Sequence, residues 1–165
     1  MKYVACSGAR RGRLARAAAL DRLKQLRTEP EEVWHVRSLL AEAGVRFVVC
    51  ELFAGSRLDG ICTWLDAKSP VIGMTLRLDR IDHFWFVLRH EVEHILRGDG
   101  FEDGVPSAVF DEDVSDAATT DLPVAEIAVN TAAAEFCLSP EAMQSWMGML
   151  PGKLPGTDTT MQIRN

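Results

Sequence analysis

A five-residue segment of this chain, His90-Glu91-Val92-Glu93-His94, combines residue types that can bind a metal ion and move a proton. On a helix, His90 and His94 lie one turn apart on the same face, where two imidazoles can bind one ion. Glu91 lies beside them and can take a proton from water that the ion activates. A chain of this composition contains the pattern by chance with a probability of only about 0.7 %. The segment therefore predicts a zinc site for amide hydrolysis, with Glu91 as the general base.

A catalytic zinc ion needs a third protein ligand and keeps one position for water. His83 lies two helical turns before His90, about 10 Å along the axis and too far to share the ion, so we predict a surface histidine there. Glu126 is the best carboxylate candidate, because Asn130 follows one turn later on the same face of its helix and can orient a ligand histidine through a hydrogen bond. The simpler role for Glu126 is that of an acid stabilising the first turn of its helix.

Helical periodicity surrounds these residues. Apolar residues recur every three or four positions around the motif, and Gly98 and Gly100 end its helix. Glu126 and Asn130 lie on the next helix, which begins near Pro123. The same signals predict five helices, over residues 9–26, 28–43, 81–96, 122–138 and 139–149.

Between the second and third helices, the sequence takes on the character of β-strands. Residues 45–52, 60–66 and 71–78 are rich in Val, Ile, Phe, Thr and Trp, and connections this short favour antiparallel hairpins. We therefore predict an α+β fold in which a small antiparallel three-stranded sheet packs on the motif helix and the Glu126 helix. Residues 99–121 are acidic and weakly periodic, which predicts a long loop of the kind that is functional or mobile.

Length and composition are those of one globular domain. The 165 residues are 47 % apolar and 25 % charged, enough for one hydrophobic core. No run approaches the roughly 18 apolar residues of a membrane helix, and no secretory signal is visible, so we expect a cytoplasmic protein without a membrane. The four cysteines lack C-x-x-C spacing, which argues against a thiolate zinc site or a redox motif.

Charge is distributed unevenly along the chain. Residues 1–27 hold eight Lys or Arg and one acid, whereas the remainder holds ten basic residues and 23 acids. A basic segment can bind nucleic acid, or it can be a helix that faces solvent or the acidic body. The acidic body would repel phosphate, which disfavours nucleic-acid binding. We predict a basic N-terminal arm over residues 1–27, a main domain over residues 28–150 and a disordered tail over residues 151–165.

Together these motifs resemble the ImmA/IrrE family of bacterial metallopeptidases. The shared segments are Phe84-Trp-Phe-Val-Leu-Arg-His90-Glu-Val-Glu-His94-Ile-Leu, Glu126-Ile-Ala-Val-Asn130 and, before the motif helix, Val71-Ile-Gly-Met-Thr-Leu. The similarity covers about residues 71–140, less than half of the chain, but includes every residue that the chemistry demands. It implies a minimal zincin fold in which His90, His94 and Glu126 bind zinc and Glu91 is the general base.

The resemblance also implies a partner. Family members are intracellular proteases, and some cleave helix-turn-helix repressors, so a zinc-dependent endopeptidase acting on a phage-like or stress-response repressor is expected. Many relatives carry a helix-turn-helix domain that this sequence lacks, so no direct DNA binding is expected. The alternative is a non-catalytic regulatory or antitoxin-type module that binds a transcriptional regulator or toxin. The sequence assigns no substrate-binding residue, and Tyr3, Arg77 and His83 are open candidates for stabilising the oxyanion.

Overall fold

The computed structural model describes residues 7–51, 55–102, 105–112 and 122–149, and within these ranges every predicted helix is present. The second predicted helix divides into a 3₁₀ helix, Pro30–His35, and an α-helix. The α-helices are α1 Ser7–Arg27, α2 Val36–Glu42, α3 Ile81–Arg97, α4 Val124–Cys137 and α5 Pro140–Met149. The strands are β1 Arg46–Cys50, β2 Leu58–Trp64, β3 Pro70–Thr75, β4 Phe101–Glu102, β5 Val105–Pro106 and β6 Ala108–Glu112. No described helix has the length and apolar character needed to cross a bilayer.

The main sheet has four strands in the order β1-β3-β2-β6, which confirms an α+β fold. The predicted three-stranded antiparallel sheet is wrong, because β1 pairs with β3 in parallel, whereas β2 is antiparallel to both β3 and β6. The chain does reverse direction from β1 to β2 and again to β3. However, β3 is buried along almost its whole length and lies between β1 and β2. Because β1 and β3 both run opposite to β2 and lie next to each other, they pair in parallel.

The predicted loop over residues 99–121 is wrong over its first part. Gly98 and Gly100 have φ angles of 88° and 77°, which end α3 and turn the chain back toward the sheet. The short β4–β5 hairpin follows, and then β6 pairs antiparallel with β2. The strand pattern of β6 is hard to recognise because an acid, Asp111, occupies an inward-facing position while Phe110 faces outward. Residues 113–121 lie outside the described ranges.

The core lies between the sheet, α3 and the helices that flank α3. Helix α3 packs against β2 and β3 on one side and against α4 on another, while α1 and α2 pack on each other. Leu23 of α1 is fully buried, so the second half of the basic segment contributes to the core. The tail over residues 151–165 lies outside the described ranges. Buried apolar side chains include Leu23, Leu39, Leu40, Cys62, Ile72, Met74, Leu88, Val92, Ile95, Val129, Ala133 and Phe136.

Candidate metal centre

The predicted motif lies on α3, and its three chemically important side chains all face the interior. His90 and His94 are each 1 % exposed and Glu91 is fully buried. Because the histidines are four residues apart on a helix, their rings lie one turn apart, with the two Nε2 atoms separated by 3.0 Å. The helix therefore presents a pair of imidazole nitrogens to one point in space.

The other nitrogen of each ring is held by a hydrogen bond. The Nδ1–H of His90 donates to Oδ1 of Asn130, 3.0 Å away, and the Nδ1–H of His94 donates to Oδ2 of Asp99, 2.9 Å away. With the protons on Nδ1, both Nε2 atoms carry lone pairs that face each other. Two lone pairs at this separation repel unless a cation lies between them. This is the arrangement in which paired histidines bind metal.

Two carboxylates complete the cluster, one from α4 and one from β6. Each places one oxygen toward each histidine: Glu126 lies 3.6 and 3.8 Å from the two Nε2 atoms, and Asp111 lies 3.2 and 3.7 Å from them. The donor atoms of all four residues lie within 4.8 Å of one another. Ligand atoms of a tetrahedral zinc ion are separated by about 3.3 Å, so His90, His94, Asp111 and Glu126 could hold one metal ion.

Buried carboxylate oxygens around the cluster support this assignment. Among the described residues, Oδ2 of Asp111 and both carboxylate oxygens of Glu91 are buried without a hydrogen-bond partner. Burying an unpaired carboxylate oxygen is costly, and a cation offsets that cost. The donor set and the unpaired oxygens both fit a divalent cation.

Glu91 occupies a space that only glycine leaves open. A Cβ atom at Gly60 of β2 would lie 1.8 Å from Oε1 of Glu91, so the side chain of Glu91 fills the position where Gly60 has none. Burial raises the pKa of Glu91 well above its usual range, and the negative charges of Asp111 and Glu126 raise it further. A carboxyl group in this position can hold a proton beside the four candidate ligands.

Two residues of the centre are not found by sequence reasoning, Asp99 and Asp111. Asp99 follows the left-handed Gly98, which brings its carboxylate back to His94. Its carbonyl oxygen accepts a hydrogen bond from the indole of Trp64 at 2.7 Å, which fixes the turn. The available signals were an acid directly after the glycine that ends the motif helix and, for Asp111, an acid in alternation with apolar residues over 108–112.

The burial of Asp111 affects its pKa in two opposing ways. Desolvation raises the pKa of this carboxyl, but its close contacts with His90 and His94 outweigh that effect. The pKa of Asp111 therefore lies below its usual value, and the residue is an anion beside the imidazole pair.

The prediction that His83 is a surface histidine is wrong. The first turn of α3 packs against the sheet, so His83 is buried and its Nε2 lies 3.2 Å from Oδ1 of the fully buried Asp59. Arg77 binds the same carboxylate through two nitrogens, at 2.8 and 3.1 Å. Arg77 and His83, two of the three open candidates for stabilising the oxyanion, are thus engaged with Asp59. The third, Tyr3, lies outside the described residues.

Comparisons with models of protein families, with curated proteins and with solved structures gave no match to this chain. The resemblance to the ImmA/IrrE family therefore stays a prediction from the motif residues. What the structure adds is independent of that resemblance: it brings His90, Glu91, His94, Glu126 and Asn130 together, as the spacing predicts, and joins Asp99 and Asp111 to them.

Proposed function

We propose that this chain is a zinc-dependent endopeptidase with a zincin-like domain of the ImmA/IrrE type. His90, His94 and Glu126 hold the zinc ion, and Glu91 is the general base. One observation carries the proposal: two imidazoles with fixed tautomers and two carboxylates converge on one point beside a buried glutamate. Zinc fits this mixed nitrogen and oxygen donor set.

The chain's own residues supply orientation and proton transfer. Asn130 and Asp99 keep the Nε2 atoms of His90 and His94 directed at the cluster. Zinc, when bound there, polarises a peptide carbonyl and makes hydroxide available near neutral pH. Glu91 accepts a proton on a carboxylate oxygen and returns it to the amine nitrogen that leaves. A raised pKa suits this role, because it makes the carboxylate of Glu91 a stronger base toward the proton of a water molecule.

The substrate that we propose is a helix-turn-helix transcriptional repressor in the cytoplasm. The family resemblance suggests this class, and the charge distribution supports it. Residues 28–165 hold 23 acids and ten basic residues, a surplus that attracts the basic surface of a DNA-binding protein and repels DNA itself. The enzyme would therefore meet the repressor and not its operator.

The test uses full-length protein loaded with one equivalent of zinc and incubated with helix-turn-helix proteins encoded beside its gene. We expect cleavage that Glu91→Gln lowers by about 10²-fold or more, because the proton carrier is lost while the zinc ligands remain. The matched control is Glu93→Gln on the same helix, where Glu93 pairs with Arg89 at 2.7 Å and is not part of the cluster. Normal cleavage by Glu91→Gln at full zinc occupancy would refute the proposal.

The second candidate function is a non-catalytic metal-binding module that binds a transcriptional regulator or toxin. The observation in its favour is the fourth candidate ligand, Asp111, because sites with four protein ligands are usually structural. The two functions differ in a simple readout. A partner that co-purifies with the zinc-loaded protein and stays intact on prolonged incubation supports the module, whereas its cleavage supports the peptidase.

A further inference from the structure

Asp111 is the carboxylate closest to the two Nε2 atoms of the imidazole pair, yet catalysis at this centre does not require it. Its Oδ1 lies 3.2 Å from Nε2 of His90, compared with 3.6 Å for the nearer oxygen of Glu126. Its side chain is nine-tenths buried, and its Oδ2 has no hydrogen-bond partner among the described residues. The carboxylate is therefore directed into the cluster and kept from solvent.

Asp111 takes up a ligand position that hydrolysis would need to be open. A tetrahedral ion has four positions, and hydrolysis needs one of them for water or substrate. His90, His94 and Glu126 account for three positions, and Asp111 accounts for the fourth. Asp111 also pairs across the strands with Gly60, the residue against which Glu91 packs. The strand therefore covers Glu91 as well as the position that water or substrate would need.

The two carboxylates are anchored very differently. Glu126 lies on α4, which packs on α3 through the buried side chains of Val129, Ala133 and Phe136. Asp111 lies on a five-residue strand at the edge of the described sheet, paired on one side with β2. The outward-facing Phe110 is 63 % exposed and contributes little burial to that strand. Moving β6 thus costs far less packing than moving α4.

We propose that Asp111 is a displaceable fourth ligand that keeps the metal centre closed while β6 is paired with β2, and that withdrawal of β6 opens the position needed for hydrolysis. This inference rests on the proposed function, whose resting state it describes. Withdrawal breaks no covalent bond: the backbone hydrogen bonds between β2 and β6 open, and the carboxylate of Asp111 moves into solvent. His90, His94 and Glu126 remain in place and retain the ion.

The test measures access to the metal separately from peptide cleavage. Full-length wild type, Asp111→Ala and Asp111→Asn are loaded with one equivalent of Co²⁺, and acetohydroxamate is titrated while the visible absorption of the metal is recorded. If the open form makes up about a tenth of the wild type or less, both variants bind the hydroxamate about tenfold tighter or more. The matched control is Asp66→Asn, an exposed acid in the turn after β2 that leaves the affinity unchanged. Cleavage by the zinc-loaded proteins is measured in parallel and rises in the two Asp111 variants.

Each outcome decides a different point. Hydroxamate affinity equal to that of the wild type in a correctly folded Asp111→Asn would overturn the inference. Complete loss of Co²⁺ from the Asp111 variants would also overturn it, because Asp111 would then be a permanent ligand. We expect such a loss only for Glu126→Gln. Tighter hydroxamate binding without cleavage by any variant would keep the inference and refute the peptidase. Cleavage at the wild-type rate by both Asp111 variants would keep the peptidase and refute the closed resting state. Circular dichroism identifies a variant that has not folded, and Asp111→Asn retains the size of the original side chain.

Discussion

At the scale of single residues, the two histidines depend on hydrogen-bond partners that are not among the four candidate ligands. His90 is oriented by Asn130 from α4, and His94 by Asp99 from the turn after α3. Each partner accepts a hydrogen bond from Nδ1–H and so leaves the lone pair of Nε2 free for a metal ion. Asp99 also pairs with Arg97, whose Nε lies 3.3 Å from the same carboxylate oxygen.

We predict that Asn130→Ala and Asp99→Ala each weaken zinc binding by about 10–100-fold, because the freed ring loses its fixed tautomer and orientation. Competition with a chromophoric chelator measures the affinity. The control is Thr131→Ala, next to Asn130 but exposed and bonded to the backbone of Ile127. Unchanged affinity in both variants would show that packing alone orients the rings.

Local spacing explains which of these residues sequence can predict. His90 and His94, like Glu126 and Asn130, are separated by four residues on a helix, so the helical period alone places each pair on one face. Asp99 depends on the left-handed conformation of Gly98, and Asp111 on pairing between β6 and β2. Neither a left-handed turn nor long-range strand pairing follows the helical period, which is why both residues were missed.

At the scale of elements, the close approach of β2 to α3 positions Glu91, the proposed general base. Gly60 lets the strand contact the side chain of Glu91, and β2 in turn aligns β6 through the pairs Gly60↔Asp111 and Cys62↔Val109. The order of the strands depends on the burial of β3, a property of the assembled sheet. For this reason the sequence predicted the strands β1, β2 and β3 but not their neighbours in the sheet, since pairing is decided by the whole sheet.

We predict that Gly60→Ala lowers peptide cleavage by about tenfold or more while zinc still binds stoichiometrically. The new methyl group would lie 1.8 Å from Oε1 of Glu91, the end of a flexible side chain that must move away. Cleavage and metal content are measured on the same preparations. Gly148→Ala is the control, because a methyl group there meets open space. Full activity in Gly60→Ala would mean that the position of Glu91 is not critical.

At the scale of the whole molecule, the candidate ligands come from three separate elements. His90 and His94 belong to α3, Asp111 to β6 and Glu126 to α4. One ion would therefore join the edge of the sheet to both helices of the centre. Without a cation, four electron-rich groups and the buried Glu91 face one another, which disfavours the folded state.

We predict that removing zinc lowers the thermal stability. Zinc at about one hundred times its dissociation constant adds about 2.7 kcal/mol to the free energy of unfolding. For a domain of this size, that corresponds to about 5–10 °C in Tm. Scanning calorimetry with zinc and with a chelator measures the difference. A double variant, His90→Ala with His94→Ala, should show no response to zinc. A wild-type Tm independent of zinc would contradict metal binding at this cluster.

The pairing of β6 with β2 also limits how the chain can change in length. Neighbouring residues of a strand face opposite sides of a sheet, so a shift of β6 by one position would exchange Asp111 for Phe110 or Glu112 in its register with Gly60. Ser107 precedes the strand, and its backbone is tied to Gly100 and Thr63 by hydrogen bonds. A single-residue insertion or deletion just before β6 would then invert the strand and bring the phenyl ring of Phe110 inward, whereas a two-residue change would preserve which face the acid occupies. Among related proteins, we therefore expect the segment before β6 to differ in length by two residues more often than by one.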